Sequence, residues 1–360
     1  MTAPDRPDRD VVNSARRRSK TPLLVVKILL NILGFLLFVL LLGRIGIPNL
    51  LFNLKKFGAG FILICLVGAG WLMAQAAAWS IIQNSLNSGR ISFLTFFRIK
   101  IMSDALNTLI PSANLGGDIT RAYVIRKYIR MRDSVPGVLA DKTLEFVAGA
   151  IFMAGGLLGA LLSLPLPQAL MDIGWLCLFL TVAGLILLIY MQIRGFYKPL
   201  LRLSRFVPKL NRAVHAKESE IRSLDQNFGR LYGRPRHPLI LAEALHLFAR
   251  ALGLLEIWIV LGLLGSPVSA AEAFLIGSLV AVANTVFFLM PGQWGVSEGA
   301  HVFLLQSLGR PAAIGLSLGV IRRIRKIIFI GLGLILINLE NHRAPRHPQD
   351  NHDRSSDSPH

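Results

Sequence analysis

The stretch NTLIPSANLGGDITRAYVIR, from Asn107 to Arg126, decides how the rest of the chain is interpreted. An apolar segment ends at Pro111, which cannot continue a helix, and a Gly-Gly pair then opens a second, basic helix. The same order returns late in the chain as NTVFFLMPGQWGVSEGAHVF, which begins at Asn284. The sequence therefore predicts two segments in which a helix, a break and a short helix follow one another.

The two stretches also align at a nearly constant offset. Pro111 and Pro291 are 180 positions apart (291 − 111), and Asn107 and Asn284 are 177 apart (284 − 107). Two further pairs share the offset of 180, namely Asp118 with Glu298 and Lys142 with Arg322. This order predicts an internal repeat with a three-residue insertion. The alternative is two unrelated segments of similar composition.

The composition is that of a membrane protein. Hydrophobic residues make up 53% of the chain and charged residues 16%, against roughly 25% charged in soluble domains. The mean hydropathy is +0.55. The net charge of +19 does not indicate nucleic-acid binding, because the basic residues lie mostly in loops between apolar runs. Such loops orient a membrane protein and suit anionic lipid headgroups.

The apolar runs predict an all-α polytopic protein with six full spans. These lie at about 23–43, 58–82, 138–163, 170–191, 239–264 and 312–339. The segments 92–131 and 270–308 contain the two breaks and are predicted to be re-entrant helical hairpins. The first membrane repeat would be 23–192, and the second would be 238–340 with its first helix contributed by 170–191. The remaining divisions are polar: a disordered basic tail at 1–22, a basic loop at 193–237 and a disordered tail at 341–360.

Basic residues predict the orientation. The tail 1–22 has six Lys and Arg residues, 113–133 has five and 193–237 has eleven, whereas 265–269 has none. The basic segments should all be cytoplasmic, which requires the first hairpin to enter and leave on the same side. Both termini are then cytoplasmic, and the two halves form an inverted repeat like those of many transporters. The alternative is eight simple spans that follow the charge rule imperfectly.

Several charged residues fall inside predicted spans, where an ion costs about 2.5–3.5 kcal/mol on insertion scales. Glu243, His246 and Arg250 share one helix face, and so do the three charged residues of the DKTLE segment at 141–145. One interpretation is internal salt bridging that joins helices. The other is a polar cavity for a charged substrate.

The Gly-Gly break has two interpretations. Backbone N–H groups at a helix start favour a phosphate, and Arg121 would reinforce that preference. Asp118 at the same place is equally an ordinary first-turn acid. Glu298 has the same ambiguity, and His301 is either a proton carrier or its hydrogen-bond partner. The candidate substrate or cavity residues are Asn107, Gly116, Gly117, Asp118, Arg121, Asp141, Lys142, Glu145, Glu243, His246, Arg250, Asn284, Gly295, Glu298, His301, Arg322 and Arg325.

Enzyme motifs are lacking in the sequence: there is no P-loop, HExxH or GxSxG, and Cys65 and Cys177 lie in apolar runs without metal spacing. No catalytic residue, cofactor or metal ligand is therefore predicted.

The chain resembles the flippase-like transmembrane family that includes the membrane region of lysylphosphatidylglycerol synthases. The resemblance rests on PSANLGGDITRAYVIR (from Pro111), VLADKTLEF (from Val138), MPGQWGVSEGA (from Met290) and Arg322, and it covers about 22–340. The family's common PGGLG-E form appears here as PGQWGVSE, with Gln293 and Trp294 in place of smaller residues. Only about 20 polar residues follow the last helix, so the soluble synthase domain is expected to be absent.

The resemblance implies a flippase or transporter that moves an amphipathic anionic lipid, or a lipid-linked intermediate, across the cytoplasmic membrane. One alternative is a membrane-embedded transferase that uses Asp118, Asp141 or Glu145 as base. Another is a non-catalytic partner of a lipid or hopanoid synthesis complex, docked through residues 193–237. Membrane lipids with anionic headgroups are the expected partners, lipid-synthesis enzymes are further candidates, and the oligomeric state is not predicted.

Overall fold

The computed structural model describes residues 32–33, 35–86, 90–109, 116–129, 131–194, 236–287 and 293–343, with isolated positions between 201 and 218. Eleven helices lie in these ranges. They are α1 (Phe35–Ile45), α2 (Ile47–Phe57), α3 (Gly60–Leu86), α4 (Phe93–Leu109), α5 (Gly116–Ile125), α6 (Met131–Ser163), α7 (Gln168–Arg194), α8 (His237–Leu263), α9 (Ala270–Val286), α10 (Val296–Ser307) and α11 (Ala312–Arg343). The all-helical polytopic fold expected from the sequence is confirmed.

Four helices are long and apolar enough to cross a membrane, namely α3, α6, α7 and α8. The pair α1 and α2 would be a fifth span, but it bends by 88°. Gly46 lies at the bend with a φ of 90°, a conformation that glycine adopts without the strain of a side chain. The predicted spans 23–43 and 58–82 left residues 44–57 between them without a helix, and this is wrong because Ile47–Phe57 is helical. The predicted basic tail, 23–31 of the first span, most of 193–237 and residues 344–360 lie outside the described residues.

The helices around the two breaks are short. α5 has 10 residues and α10 has 12, which correspond to roughly 15–18 Å of helix. The hydrocarbon core is roughly 30 Å thick, so neither helix can cross it alone. α4 and α9 have 17 residues each. α11 is long enough to cross, but it carries four basic residues near its centre.

The contacts of the first half of the chain are repeated by the second. α4 packs on α11 as α9 packs on α6, and α5 packs on α6 as α10 packs on α11. Likewise α2 packs on α11 as α7 packs on α6. If α2 to α6 are matched in order with α7 to α11, each of these helix pairs corresponds to another pair. α3 and α8 correspond to each other in this matching, and they form the most extensive helix pair.

Small residues allow that central pair to approach closely. α3 carries the alanines Ala74, Ala76 and Ala78 at buried positions, and α8 contributes Ala242 and Ala249. In a membrane, helices associate through close van der Waals packing, which small side chains permit. The largest apolar cluster lies beside this pair and joins α6, α8, α9, α10 and α11. α3 and α8 therefore form the centre against which both broken segments are held.

Candidate functional site: two charged clusters and a cavity

Arg121 is the centre of the first charged cluster. Its side chain is fully buried, and it donates from Nη2 to Asp118 Oδ1 at 2.6 Å and from Nη1 to Asp141 Oδ2 at 2.5 Å. The guanidinium also lies over the ring of Trp79, 5.1 Å from its centroid. One arginine thus links α5 to α6 and to α3, with its charge matched by two carboxylates.

Further ionic contacts extend this cluster to α8. His246 Nε2 lies 3.0 Å from Asp141 Oδ1, and both side chains are buried. Lys142 Nζ lies 3.6 Å from Asp118 Oδ2 and 3.2 Å from Glu145 Oε2. These groups therefore form a connected network on three helices, α5, α6 and α8.

The Gly-Gly break is a site of close packing. A Cβ at Gly117 would lie 2.1 Å from the carbonyl oxygen of Ser103, so only glycine fits where α5 begins against α4. The backbone N–H of Gly117 donates to Asn107 Oδ1 at 2.7 Å. The Asn107 side chain therefore accepts the hydrogen bond of a backbone N–H group that was a candidate for binding phosphate. Asp118 at the same break is paired with Arg121.

Glu298 anchors the second charged cluster. It is 1% exposed, and its Oε1 accepts from Arg323 Nε at 2.5 Å. Its Oε2 accepts from the backbone N–H of Gly295 at 2.9 Å, which caps the start of α10. Gly295 has a φ of 76°, so the cap depends on a glycine at this position. Arg323 also lies over Trp294, 4.0 Å from the ring centroid.

His301 and Glu256 hold the other arginines of α11. His301 Nδ1 lies 2.6 Å from the Ser297 carbonyl oxygen, and Arg322 Nη1 lies 3.4 Å from His301 Nε2. A neutral imidazole that donates from Nδ1 and accepts at Nε2 satisfies both contacts. Glu256, which is 2% exposed, lies 2.8 Å from Arg325 Nε and 3.5 Å from Arg322 Nε.

A cavity of about 730 Å³ lies beside the second cluster. Its wall includes residues from α3, α4, α6, α8, α9, α10 and α11. On α8 the wall runs from Arg250 to Ile257, near the middle of that span. The charged wall residues are the basic Arg250, Arg322, Arg323, Arg325 and Lys326 and the acidic Asp104, Glu256 and Glu298.

This cavity has a surplus of two positive charges, because five basic and three acidic residues line it. Arg250 contributes to the surplus. Its Nη2 donates a long hydrogen bond of 3.4 Å to the Glu145 carbonyl oxygen, and it has no carboxylate partner within the described part of the chain. Two acceptor atoms in the wall residues, Ser278 Oγ and Asn284 Oδ1, are buried and make no hydrogen bond with any described residue. The surplus of positive charge on the wall suits an anion.

Comparisons with known proteins agree with this architecture. Residues 24–333 match the family described as the lysylphosphatidylglycerol synthase TM region. The chain belongs to this family. A relative, the UPF0104 membrane protein of Methanothermobacter thermautotrophicus, is 20% identical over 313 residues, which cover 83% of this chain and 90% of the relative. No solved structure gives a significant match.

In this member of the synthase TM-region family, the predicted site residues separate into two groups. Five of them line the cavity: Arg250, Asn284, Glu298, Arg322 and Arg325. The other twelve are not part of the cavity wall: Asn107, Gly116, Gly117, Asp118, Arg121, Asp141, Lys142, Glu145, Glu243, His246, Gly295 and His301. His301 still touches the cavity indirectly, through Arg322.

Sequence reasoning left out four charged wall residues, Asp104, Glu256, Arg323 and Lys326. Each was visible as a charge inside an apolar segment, which is the feature that could have added it to the candidates. Trp79 of α3 was also not among the candidate residues. It is fully buried against Phe96 and Arg121.

Proposed function

We propose that this chain is a lipid flippase that moves an anionic lipid headgroup across the cytoplasmic membrane through the cavity. The observation that carries the proposal is the cavity's position and charge. It lies near the middle of α3, α8 and α11, and it has a surplus of two positive charges. Charges at this depth are costly and mark a pathway for polar groups. A phosphate would offset the surplus, while the acyl chains remain in the bilayer.

The proposed transport rests on the two broken segments as inverted repeats. α4 with α5, and α9 with α10, are treated as re-entrant hairpins because α5 and α10 are too short to cross the membrane. The helix contacts of the first half have counterparts in the second half, which supports an internal repeat. Transporters with inverted repeats place the substrate between the halves, where discontinuous helices end. If both broken segments are re-entrant and the basic loops are cytoplasmic, both termini are cytoplasmic as well.

The transferase hypothesis has less support. It needs a free carboxylate beside the substrate, yet the three candidate bases are ion-paired and none lines the cavity. Asp141 and Asp118 bind Arg121, and Glu145 binds Lys142. The hypothesis of a non-catalytic partner depends on residues 193–237, which are mostly outside the described residues. Binding to lipid-synthesis enzymes therefore stays a prediction.

Reconstitution tests the proposed function. The purified protein would be placed in vesicles with a trace of fluorescent phosphatidylglycerol or, in parallel, fluorescent phosphatidylcholine, and an impermeant reductant would bleach the outer leaflet. We expect bleaching beyond the outer-leaflet fraction with phosphatidylglycerol, at a faster rate than with the zwitterionic lipid. Rates equal to those of protein-free vesicles for phosphatidylglycerol and for other anionic probes would contradict the proposal.

A further inference from the structure

Two ionisable side chains on α8 have buried polar atoms without a hydrogen-bond partner among the described residues. Both carboxyl oxygens of Glu243 are shielded from solvent and have no hydrogen-bond partner among the residues that the structure describes. His246 is 1% exposed, and its Nε2 contacts Asp141 while its Nδ1 has no partner in the same residues. The two groups lie three positions apart and hence on one face of α8.

The charged groups around this pair are already engaged with one another. α3, the main partner of α8, has no Asp, Glu, His, Lys or Arg within Gly60–Leu86. α6 presents Asp141, Lys142 and Glu145, behind which lie Asp118 and Arg121 of α5 and Lys100 of α4. Charged residues on α2, α9 and α11 contact other groups: Lys56 contacts the Leu264 carbonyl, Glu272 contacts Arg310, Arg322 and Arg325 contact Glu256, Arg323 contacts Glu298, and Glu340 contacts both Arg98 and Lys127.

An ionised carboxylate without a donor is expensive in this position. Its transfer from water into a medium of low polarity costs far more than that of the neutral acid, so such a group takes up a proton instead. A neutral Glu243 has one donor and fits the apolar side chains nearby, which include Ala242 and Leu239. The geometry therefore favours a protonated Glu243 next to a histidine with a free ring nitrogen.

We propose that Glu243 and His246 form a proton-carrying site that couples the proposed lipid transport to a proton gradient. This inference rests on the proposed function and assigns its source of energy. Glu243 and His246 Nδ1 are not hydrogen-bonded to each other in this structure, so proton transfer between them needs a change of side-chain rotamer that brings the carboxyl to Nδ1. Glu243 then becomes a carboxylate and His246 becomes an imidazolium, so the proton is conserved. The imidazolium then attracts Asp141 more strongly.

Asp141 is the link between the proton site and the first hairpin. The same carboxylate binds His246 through Oδ1 and Arg121 through Oδ2. A stronger bond to the imidazolium weakens the hold on Arg121, which joins α5 to α6. On the other side, Arg250 lies one turn beyond His246 and lines the cavity. A proton on His246 can thus loosen the hairpin and raise the positive potential at the cavity together.

Lipid movement under a pH gradient is the first test. Vesicles containing the parent would be given equal or different internal and external pH, and the rate of fluorescent phosphatidylglycerol movement would be compared. We expect the gradient to change the parental rate at least several-fold. Glu243→Gln should keep the gradient-independent exchange and lose the response, whereas Asp172→Asn, at the exposed start of α7, should respond like the parent. A parent insensitive to the gradient, or a fully responsive Glu243→Gln, would overturn the inference.

Infrared spectroscopy tests the site without any lipid. At neutral pH the parent should show the carbonyl band of a protonated carboxylic acid, and Glu243→Gln should lose it while Asp172→Asn keeps it. Absence of a band that depends on Glu243 would overturn the inference, whatever the transport result. If instead the band is present and the parent moves no lipid, the proposed function fails while the proton site on α8 stands.

Discussion

Arg121 offers the sharpest test of how the first hairpin is held. Its guanidinium is fully buried and is shared by Asp118 and Asp141, at 2.6 and 2.5 Å. Arg121→Ala would leave Asp141 without its main counter-ion in a site with no solvent exposure. Removal of one member of a buried ion pair typically costs about 3–5 kcal/mol, so we expect the free energy of unfolding to fall by that amount. Arg121→Lys keeps the charge but cannot bind both carboxylates in the same fork, so its cost should be intermediate.

The matched control is Arg126→Ala, in the turn directly after α5. Arg126 is exposed and lies over Tyr123, 3.6 Å from the ring centroid. An exposed contact of this kind contributes only about 0.5–1 kcal/mol, so the control should be several times milder. Unfolding in mixed micelles, titrated with a denaturing detergent and followed by tryptophan fluorescence, gives both free energies.

A compensated variant separates charge from packing. Asp118→Asn and Asp141→Asn, added to Arg121→Ala, remove the two uncompensated carboxylates, so part of the lost stability should return. The reasoning is refuted if Arg121→Ala is as stable as Arg126→Ala. It is also refuted if the triple variant is no more stable than the single one, since the loss would then come from packing.

Three further outcomes are expected. Gly117→Ala should markedly lower stability in detergent, because its Cβ would lie 2.1 Å from a backbone oxygen. The control Gly159→Ala, whose Cβ would have nothing within 4 Å, should not lower it. Equal melting temperatures of the two variants would show that α4 and α5 can separate. Asp118→Asn and Glu298→Gln should remain folded but lose lipid transport, and the double variant should lose no more than either one, since each disables the same cycle; normal transport by both would make these acids caps only. A cysteine at Tyr128, 52% exposed, should react with an impermeant thiol reagent only from the cytoplasmic side; in cells otherwise free of reactive cysteine in this chain, labelling from outside would exclude the hairpin topology.

The sequence predicted most of the helices well because local sequence features mark where they begin and end. Pro111 and the glycine pair mark the first break, and α5 begins at Gly116 as expected. α8 and α7 lie within three residues of their predicted limits, since long apolar runs are unambiguous. The helix α2 was missed because it follows Gly46, has Pro48 in its first turn and includes Lys55 and Lys56 among its 11 residues, a composition that resembles a loop.

The site was predicted in its residue types more than in its pairings. Periodicity placed His246 and Arg250 on one face of α8, but it could not show that His246 meets Asp141, 105 positions away. Nor could it show that Asn107 accepts a hydrogen bond from the Gly117 N–H. Such partners are chosen by tertiary packing, which a pattern within one helix does not record. The division between a closed network and an open cavity therefore became visible only in the structure.

The most direct test of cavity transport is the rate of fluorescent phosphatidylglycerol movement in vesicles containing Arg322→Ala. Arg322 lines the cavity and contacts both Glu256 and His301, so its loss removes one of the five basic wall residues. The rate should fall at least tenfold, Arg322→Lys should restore it in part, and Arg346→Ala in the polar tail should match the parent. A rate for Arg322→Ala equal to that of the parent, at equal protein per vesicle, would contradict transport through this cavity.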